Sequence, residues 1–423
     1  MYFREYCIRI IDRWTRKWKE IEMDYIEKGT KAFHKANWAL FLAGFITFAN
    51  LYVSQPLLPT FAEEFHVSPA VASLSLSVAT LALSISMIIV GSFSEAWGRK
   101  SLMTLSIFAA SILTLALAFS PNFETILVLR VIQGVVFAGL PAIAMAYLGE
   151  EMNPSSLGIA MGLYISGNSV GGLSGRVIIG TLTDFYNWQV GMIVLGVISL
   201  IISVLFVWML PNSQHFSARP LQIKALTKSL MQHLKDPSMQ CLFAISFVLM
   251  GSFVTLYNYI GFKLMAPPYH LSATIVGWIF VIYLVGTFSS AWFGSLADRF
   301  GRQKMLLLAI AIMLAGAIIT LQGLLLLKIV GITVFTFGFF AAHSIASGWV
   351  SKRATHDKAQ ASSLYLFFYY FGSSVGGTVG GIFWMHFGWF GVVAMITIFL
   401  VIACGLTFVL KSIIAKQRFL TGH

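Results

Sequence analysis

Apolar blocks of about 20 residues recur from near residue 37 to residue 411, and this periodicity constrains the chain more than any other feature. A helix rises 1.5 Å per residue, so about 20 residues cover the roughly 30 Å of hydrocarbon in a bilayer. Twelve spans can be read, at 37–60, 70–93, 101–120, 125–148, 157–183, 188–210, 239–262, 272–296, 304–322, 326–349, 360–384 and 388–411. Only 10% of the residues are charged and 58% are hydrophobic, where a soluble domain carries roughly 25% charged residues. That balance excludes a cytosolic enzyme, a secreted disulfide scaffold and a disordered tail. A β-barrel would show alternating segments of about ten residues instead.

Long connections are few. They are the N-terminal segment 1–36 and the stretch 211–238, which separates two sets of six spans. The expected organisation is therefore 1–36, a bundle over 37–210, a linker over 211–238, a second bundle over 239–411 and a tail over 412–423. Orientation follows from the basic residues of the loops. With a cytoplasmic N-terminus, 24 of the 28 Lys and Arg residues fall inside, and only Lys263 and Lys328 fall outside. Both termini are thus expected in the cytoplasm of a cell (plasma or inner) membrane. The net charge of +12 is then a topology signal and not a nucleic-acid signal.

In the first 36 residues, Cys7, Ile11, Trp14, Trp18, Ile21 and Tyr25 recur at helical spacing with Arg and Lys between them. Such a pattern suits a helix lying in the membrane interface. The other reading is an upstream extension, with translation starting at Met23.

The two halves repeat each other. Gly91, Glu95, Gly98 and Arg99 after the second span return as Gly294, Asp298, Gly301 and Arg302 after the eighth, at an offset of 203. Gly167, Gly171, Gly172 and Gly175 of the fifth span return as Gly372, Gly376, Gly377 and Gly380 of the eleventh, at an offset of 205. Two separate motifs at nearly one offset indicate a duplicated six-helix unit. The expected fold class is an all-α membrane protein of twelve transmembrane helices in two pseudo-symmetric six-helix bundles.

The loop with Gly, acid, Gly and Arg resembles the signature of the major facilitator superfamily. Arg130, Gln133 and Gly134 in the fourth span fit a second signature. Gly158, Gly167, Gly171, Gly172 and Gly175 in the fifth fit the motif of antiporters, and the whole is similar to bacterial drug:proton antiporters and arabinose-efflux exporters. Two positions depart from the pattern. Glu95 stands where the loop usually has Asp, and Gly172 stands where the antiporter motif has Pro. The resemblance implies that the repeated loop controls a conformational switch, with Arg99, Glu95, Glu150 and Glu151 meeting on the cytoplasmic face and Asp298 with Arg302 as the weaker copy. A plain positive-inside anchor would explain Arg99 but neither acid.

Glycines along one helical face permit close backbone contact between helices, either as static packing or as a surface that slides when the halves rock. Arg130 is a charge within a span, which is costly unless it meets a wet cavity or a partner. By resemblance it lines the central cavity; the alternative is an arginine snorkelling to the outer interface. Arg176 carries the same ambiguity. Asn50, Tyr52 and Gln55 in the first span and Asn258 in the seventh are further cavity candidates, because the resemblance places those spans around the cavity. Tyr257 and Tyr259 suit an interfacial belt, and Tyr365, Tyr369 and Tyr370 cluster in the eleventh span.

All 16 acidic residues fall in the N-terminal segment, in loops or at span ends. His343 is the one histidine within a span body, and histidine titrates near neutrality. A proton carrier is therefore expected at His343 with Arg130 nearby, or else weak coupling or facilitation; Glu63 and Glu64 at the outer mouth are lesser candidates. Cys7, Cys241 and Cys404 lie far apart, so neither a metal nor a disulfide framework is expected. No phosphate-binding Gly-Lys-Ser/Thr loop and no nucleophile–base set is present, so no cofactor, no ATP and no enzyme activity are expected. The expected partners are a small-molecule solute, a proton and the lipid bilayer, with the chain a monomer. The expected function is proton-coupled efflux of a small organic solute by alternating access. The alternatives are an importer or uniporter of a sugar or organic anion, and a membrane sensor that keeps the fold.

Overall fold

A computed structural model of the chain describes residues 25–216 and 223–421, and within them the side chain of Glu95 and the surroundings of positions 91, 92, 142, 223, 225 and 418–421 are not described. Residues 1–24, which hold most of the amphipathic N-terminal pattern, also lie outside the described residues.

The first half runs α1 (Lys31–Leu51), α2 (Leu58–Glu64), α3 (Pro69–Trp97), α4 (Arg99–Leu117), α5 (Phe123–Phe137), α6 (Pro141–Glu151), α7 (Leu157–Phe185) and α8 (Trp188–Met209). A connecting helix α9 (Ile223–Lys235) follows. The second half runs α10 (Pro237–Met265), α11 (Ala273–Trp278), a 3₁₀ turn (Ile279–Ile282), α12 (Tyr283–Phe300), α13 (Arg302–Ile319), α14 (Leu325–Arg353) and α15 (Lys358–Thr421), the last broken at Gly388. The chain is therefore a multi-pass helical protein, and among the described residues eight helical stretches are each long and apolar enough to cross a membrane.

Several boundaries follow directly from residue chemistry. Ser68 precedes Pro69 and caps α3 by accepting the amide of Val71, and Asn187 caps α8 at Val190. Such caps satisfy amides that lack an intrahelical partner. Two expected spans are broken. Apolarity predicts a continuous first span over 37–60, but helix stops at Leu51 and resumes at Leu58, beyond Pro56. It predicts a fourth over 125–148, but that one is interrupted at 138–140, ahead of Pro141. Proline has no amide to donate and clashes with the preceding turn. The 211–238 stretch, read as a linker, contains α9.

The duplication is visible in the backbone. Gly98 and Gly301 adopt φ of 91° and 95°, a region that favours glycine. Each donates its amide to the carbonyl three residues before the helix end, Ser94 and Ala297, at 3.2 Å in both cases. The glycine rows also pack alike. A Cβ on Gly167, Gly171 or Gly175 of α7 would overlap the backbone of Phe41, Phe45 or Ala49 of α1. A Cβ on Gly372 or Gly376 of α15 would overlap the backbone of Phe247 or Gly251 of α10, and one on Gly380 would crowd Thr255. Gly158 has open space around it, and Gly172 has only ordinary neighbours.

The two halves meet at the ends remote from Lys31 and Thr421, where the first described helix begins and the last one ends. Gly381 of α15 lies on Ala70 of α3, and Gly180 of α7 lies on the Ala273 carbonyl. Gly277 of α11 in turn approaches the backbone of Arg176.

Candidate functional site

A cavity of about 130 Å³ lies between the halves. From the first half it is lined by Phe48, Tyr52, Gln55, Asn168 and Arg176 among others, and from the second by Phe253, Tyr283, Phe339, Phe340 and Tyr369. Residues on α1, α7, α10, α12, α14 and α15 thus converge on one volume. The wall is largely aromatic, and among the described residues Arg176 is the only charged one in it.

Arg176 is 2% exposed. Its Nε and Nη2 both donate to Gln55 Oε1, at 2.9 and 2.7 Å, and Nη1 donates to the Gly172 carbonyl at 2.6 Å. The rings of Tyr52 and Phe280 lie 4.3 and 4.4 Å from the guanidinium carbon, and that of Tyr283 lies at 5.2 Å. Such ring faces attract a cation when water is excluded. Gln55 also donates through Nε2 to Asn258 Oδ1 at 2.9 Å. A polar chain therefore runs from α7 through the break after α1 to α10, joining the halves beside the cavity.

Arg130 does not line this cavity, contrary to the expectation from sequence, and it does not snorkel. It is fully buried within the first half. It donates to the carbonyls of Ser75, Asn50 and Leu51 at 2.7, 3.0 and 2.5 Å, and to Gln133 Oε1 at 2.8 Å. Asn50 and Leu51 supply the last carbonyls of α1, which have no intrahelical partner. The cation thus caps a broken helix end, where the dipole is negative. Gln133 and Asn50 belong to the same network. Gln133 donates to Thr114, and Thr114 donates to Asn50, at 2.8 and 3.0 Å.

His343 stands behind the cavity wall. Its ring lies 4.7 Å from that of Tyr369, and Nδ1 is 3.0 Å from the Tyr365 hydroxyl. Among the described residues His343 meets Phe339, Tyr365 and Tyr369 of the second half, whereas Arg130 bonds only within the first, so the expected pairing of the two is not formed. Glu64 accepts from Trp188 Nε1 at 2.6 Å. Tyr257 and Tyr259, read as interfacial, are buried and bonded to Thr336 and to the Gly377 carbonyl.

The repeated loops make ion pairs on the face where α1 begins and α15 ends. Arg99 donates to Glu150 through Nε and Nη2 at 3.1 and 2.7 Å, and it also contacts Ser94. Glu151 does not join this pair; it meets His215 at 3.0 Å. In the second half Asp298 accepts from Arg302 at 2.6 Å and from Lys352 at 2.8 Å.

Phe253, Phe339, Phe340 and Tyr283 were not singled out from sequence. Aromatic residues are spread along most of the spans, so composition does not distinguish those facing the cavity from those facing lipid or core.

Comparison with known proteins agrees with this architecture. The profile of the Major Facilitator Superfamily matches residues 40–266 and 242–419. The uncharacterized MFS-type transporter YybF of Bacillus subtilis is 56% identical over 91% of this chain and 95% of its own. The inner membrane transport protein YnfM of Escherichia coli is 46% identical over 90% of this chain and 91% of its own. The crystal structure of a bacterial homologue of the human lysosomal transporter Spinster, inward-facing and unoccupied, shares the fold with a TM-score of 0.76 at 16% identity, covering 91% of this chain and 98% of that one. Duplicated loops, paired glycine rows and an interhalf cavity thus coincide with these matches: the chain is a multi-pass membrane transporter, not an enzyme, and belongs to the major facilitator superfamily.

Proposed function

We propose that the chain exports a small organic solute by alternating access, with the solute held in the cavity around Arg176 and a proton exchanged for it through His343. The observation that carries this reading is that one cavity is walled by both halves, while the halves meet at the ends remote from Lys31 and Thr421. The basic residues of the loops support an orientation in a cell (plasma or inner) membrane with those ends outside and both termini in the cytoplasm. Rocking of one half against the other would expose the same site to each side in turn. The repeated loops, with Arg99 on Glu150 and Asp298 on Arg302 and Lys352, are the switch that holds each half at the inner face. The antiporter-like glycines of α7 support export as the direction. His343 supports exchange, because its partner ring Tyr369 lines the cavity.

A facilitator is the second reading, favoured by the lack of any carboxylate among the described residues lining the cavity. Counterflow and pH-gradient-driven accumulation in proteoliposomes separate the two. Exchange predicts that a gradient drives accumulation by the wild type and that His343→Ala loses it while keeping counterflow. Accumulation unchanged in His343→Ala would remove this histidine as the carrier, and counterflow without any gradient-driven accumulation would favour the facilitator.

A further inference from the structure

The two intramembrane arginines are satisfied differently. Arg130 donates four hydrogen bonds to four separate acceptors, none of them in the cavity wall. Arg176 donates three, and two of those share the single oxygen Gln55 Oε1. A guanidinium has five N–H groups in one plane. Nε and Nη2 take Gln55 from the side edge of that plane, and Nη1 reaches back one turn to Gly172. The distal edge, one N–H on each terminal nitrogen, has no protein acceptor among the described residues.

The charge is uncompensated too. The partners of Arg176 are an amide, a carbonyl and aromatic faces, and no Asp or Glu among the described residues lines the cavity. A buried charge in a site closed to water is stabilised most by an opposite charge bonded in good geometry. A planar two-oxygen anion fits two parallel N–H groups edge to edge. The purely structural alternative, a tie between α7 and Gln55, accounts for the side edge alone.

We propose that the transported solute is an organic monoanion. Its carboxylate takes the distal N–H pair of Arg176, and its apolar or aromatic body lies among Phe48, Phe253, Phe339 and Tyr369. This deepens the reading of the cavity as a transport site and rests on it. Because the amide of Gln55 binds both Arg176 and Asn258, the anion would bind beside the polar chain that joins the halves.

The test uses the purified full chain and a graded panel of monocarboxylates from acetate to indole-3-acetate, each matched with its neutral amide and its amine. Binding is read by thermal shift, and transport by counterflow in proteoliposomes of phosphatidylethanolamine and phosphatidylglycerol. At least one acid should bind about tenfold or more tightly than its amide, with the amine weaker still, since charge-assisted bonds are roughly twice as strong as neutral ones. Arg176→Lys should lose about tenfold for that acid, because a point charge replaces the planar fork. Arg176→Ala should lose acid binding altogether. Lys keeps the charge, so the proposal stays testable if Ala fails to fold. Binding of no acid in the panel, an amide equal to its acid, or unchanged acid affinity in Arg176→Lys would each overturn the anion assignment. Transport of an amide or amine but of no acid would overturn it while leaving the transport reading intact. Acid binding that depends on Arg176, with no counterflow of any probe, would support the anion site and sink the transport reading.

Discussion

Asp184, at the end of α7, accepts the backbone amides of Ala273 and Thr274 at 2.9 and 2.6 Å and so caps α11 in the opposite half of the molecule. A carboxylate at its own helix C-terminus opposes that helix's dipole, whereas at another helix's N-terminus it is favourable. The contact therefore gains most when the halves are together at the face remote from Lys31 and Thr421. Only a difference between two states shifts their populations.

Asp184→Ala should loosen this junction. Losing a cap costs about 1 kcal/mol, so the population with that face open should rise about fivefold relative to the closed one. Spin labels at Phe119 and Leu324, exposed at the same face in opposite halves, would report it as growth of a longer distance. An unchanged distance distribution would remove Asp184 from the closure.

Arg130→Ala should act on stability before transport. It strands the carbonyls of Ser75, Asn50 and Leu51 in a dry interior. Leaving a buried acceptor without its partner costs about 1–3 kcal/mol, and the loss of three at once is enough to lower the yield of folded protein. Arg130→Lys should recover only part, since one ammonium cannot reproduce the fork. Thermal unfolding of the detergent-purified variants measures this. Wild-type stability with lost transport would restore Arg130 to the transport path.

The glycines should divide sharply. Gly171→Ala drives a methyl into the Phe45 backbone and Gly376→Ala into Gly251, whereas Gly158→Ala meets open space. The first two should destabilise by about 1–3 kcal/mol, as overpacking does. The last should be neutral or slightly stabilising, because alanine favours helix over glycine by roughly 1 kcal/mol. Melting temperatures of the three variants are the measurement, and equal values would mean that the α1–α7 and α10–α15 contacts can spread without cost.

A monoanionic solute gives export a second driving force. Moving one charge through the membrane potential is worth about 2.3 kcal/mol per 100 mV, close to a fiftyfold gradient. Efflux of an acid probe from potassium-loaded proteoliposomes should quicken when valinomycin sets the interior negative, and slow when the potential is reversed. Efflux that ignores the potential would show that no net charge moves with the solute.

The fold was legible because its signals are local. Blocks of about 20 apolar residues specify helices that satisfy their own backbone in lipid, and the repeated Gly98 and Gly301 loops show their duplication at a fixed offset. The glycine rows were readable as close-packing faces for the same reason: a missing side chain is written in the sequence. The breaks in the first and fourth spans could have been read from Pro56 and Pro141, had apolarity not run through them. The site was legible only in part. Tyr52, Gln55 and Arg176 line the cavity, while Arg130, Gln133 and Asn50 form a separate buried network. Sequence shows two arginines inside apolar spans and nothing that ranks them. The difference lies in which distant backbone comes within bonding range. The carbonyls that occupy Arg130 belong to residues 55, 79 and 80 positions away. The one side-chain oxygen that holds the side edge of Arg176 lies 121 positions away and leaves the other edge open. Apolarity and length determine that a helix crosses the membrane, but the depth and rotation at which it packs decide whether its one charge caps a neighbour or faces the cavity.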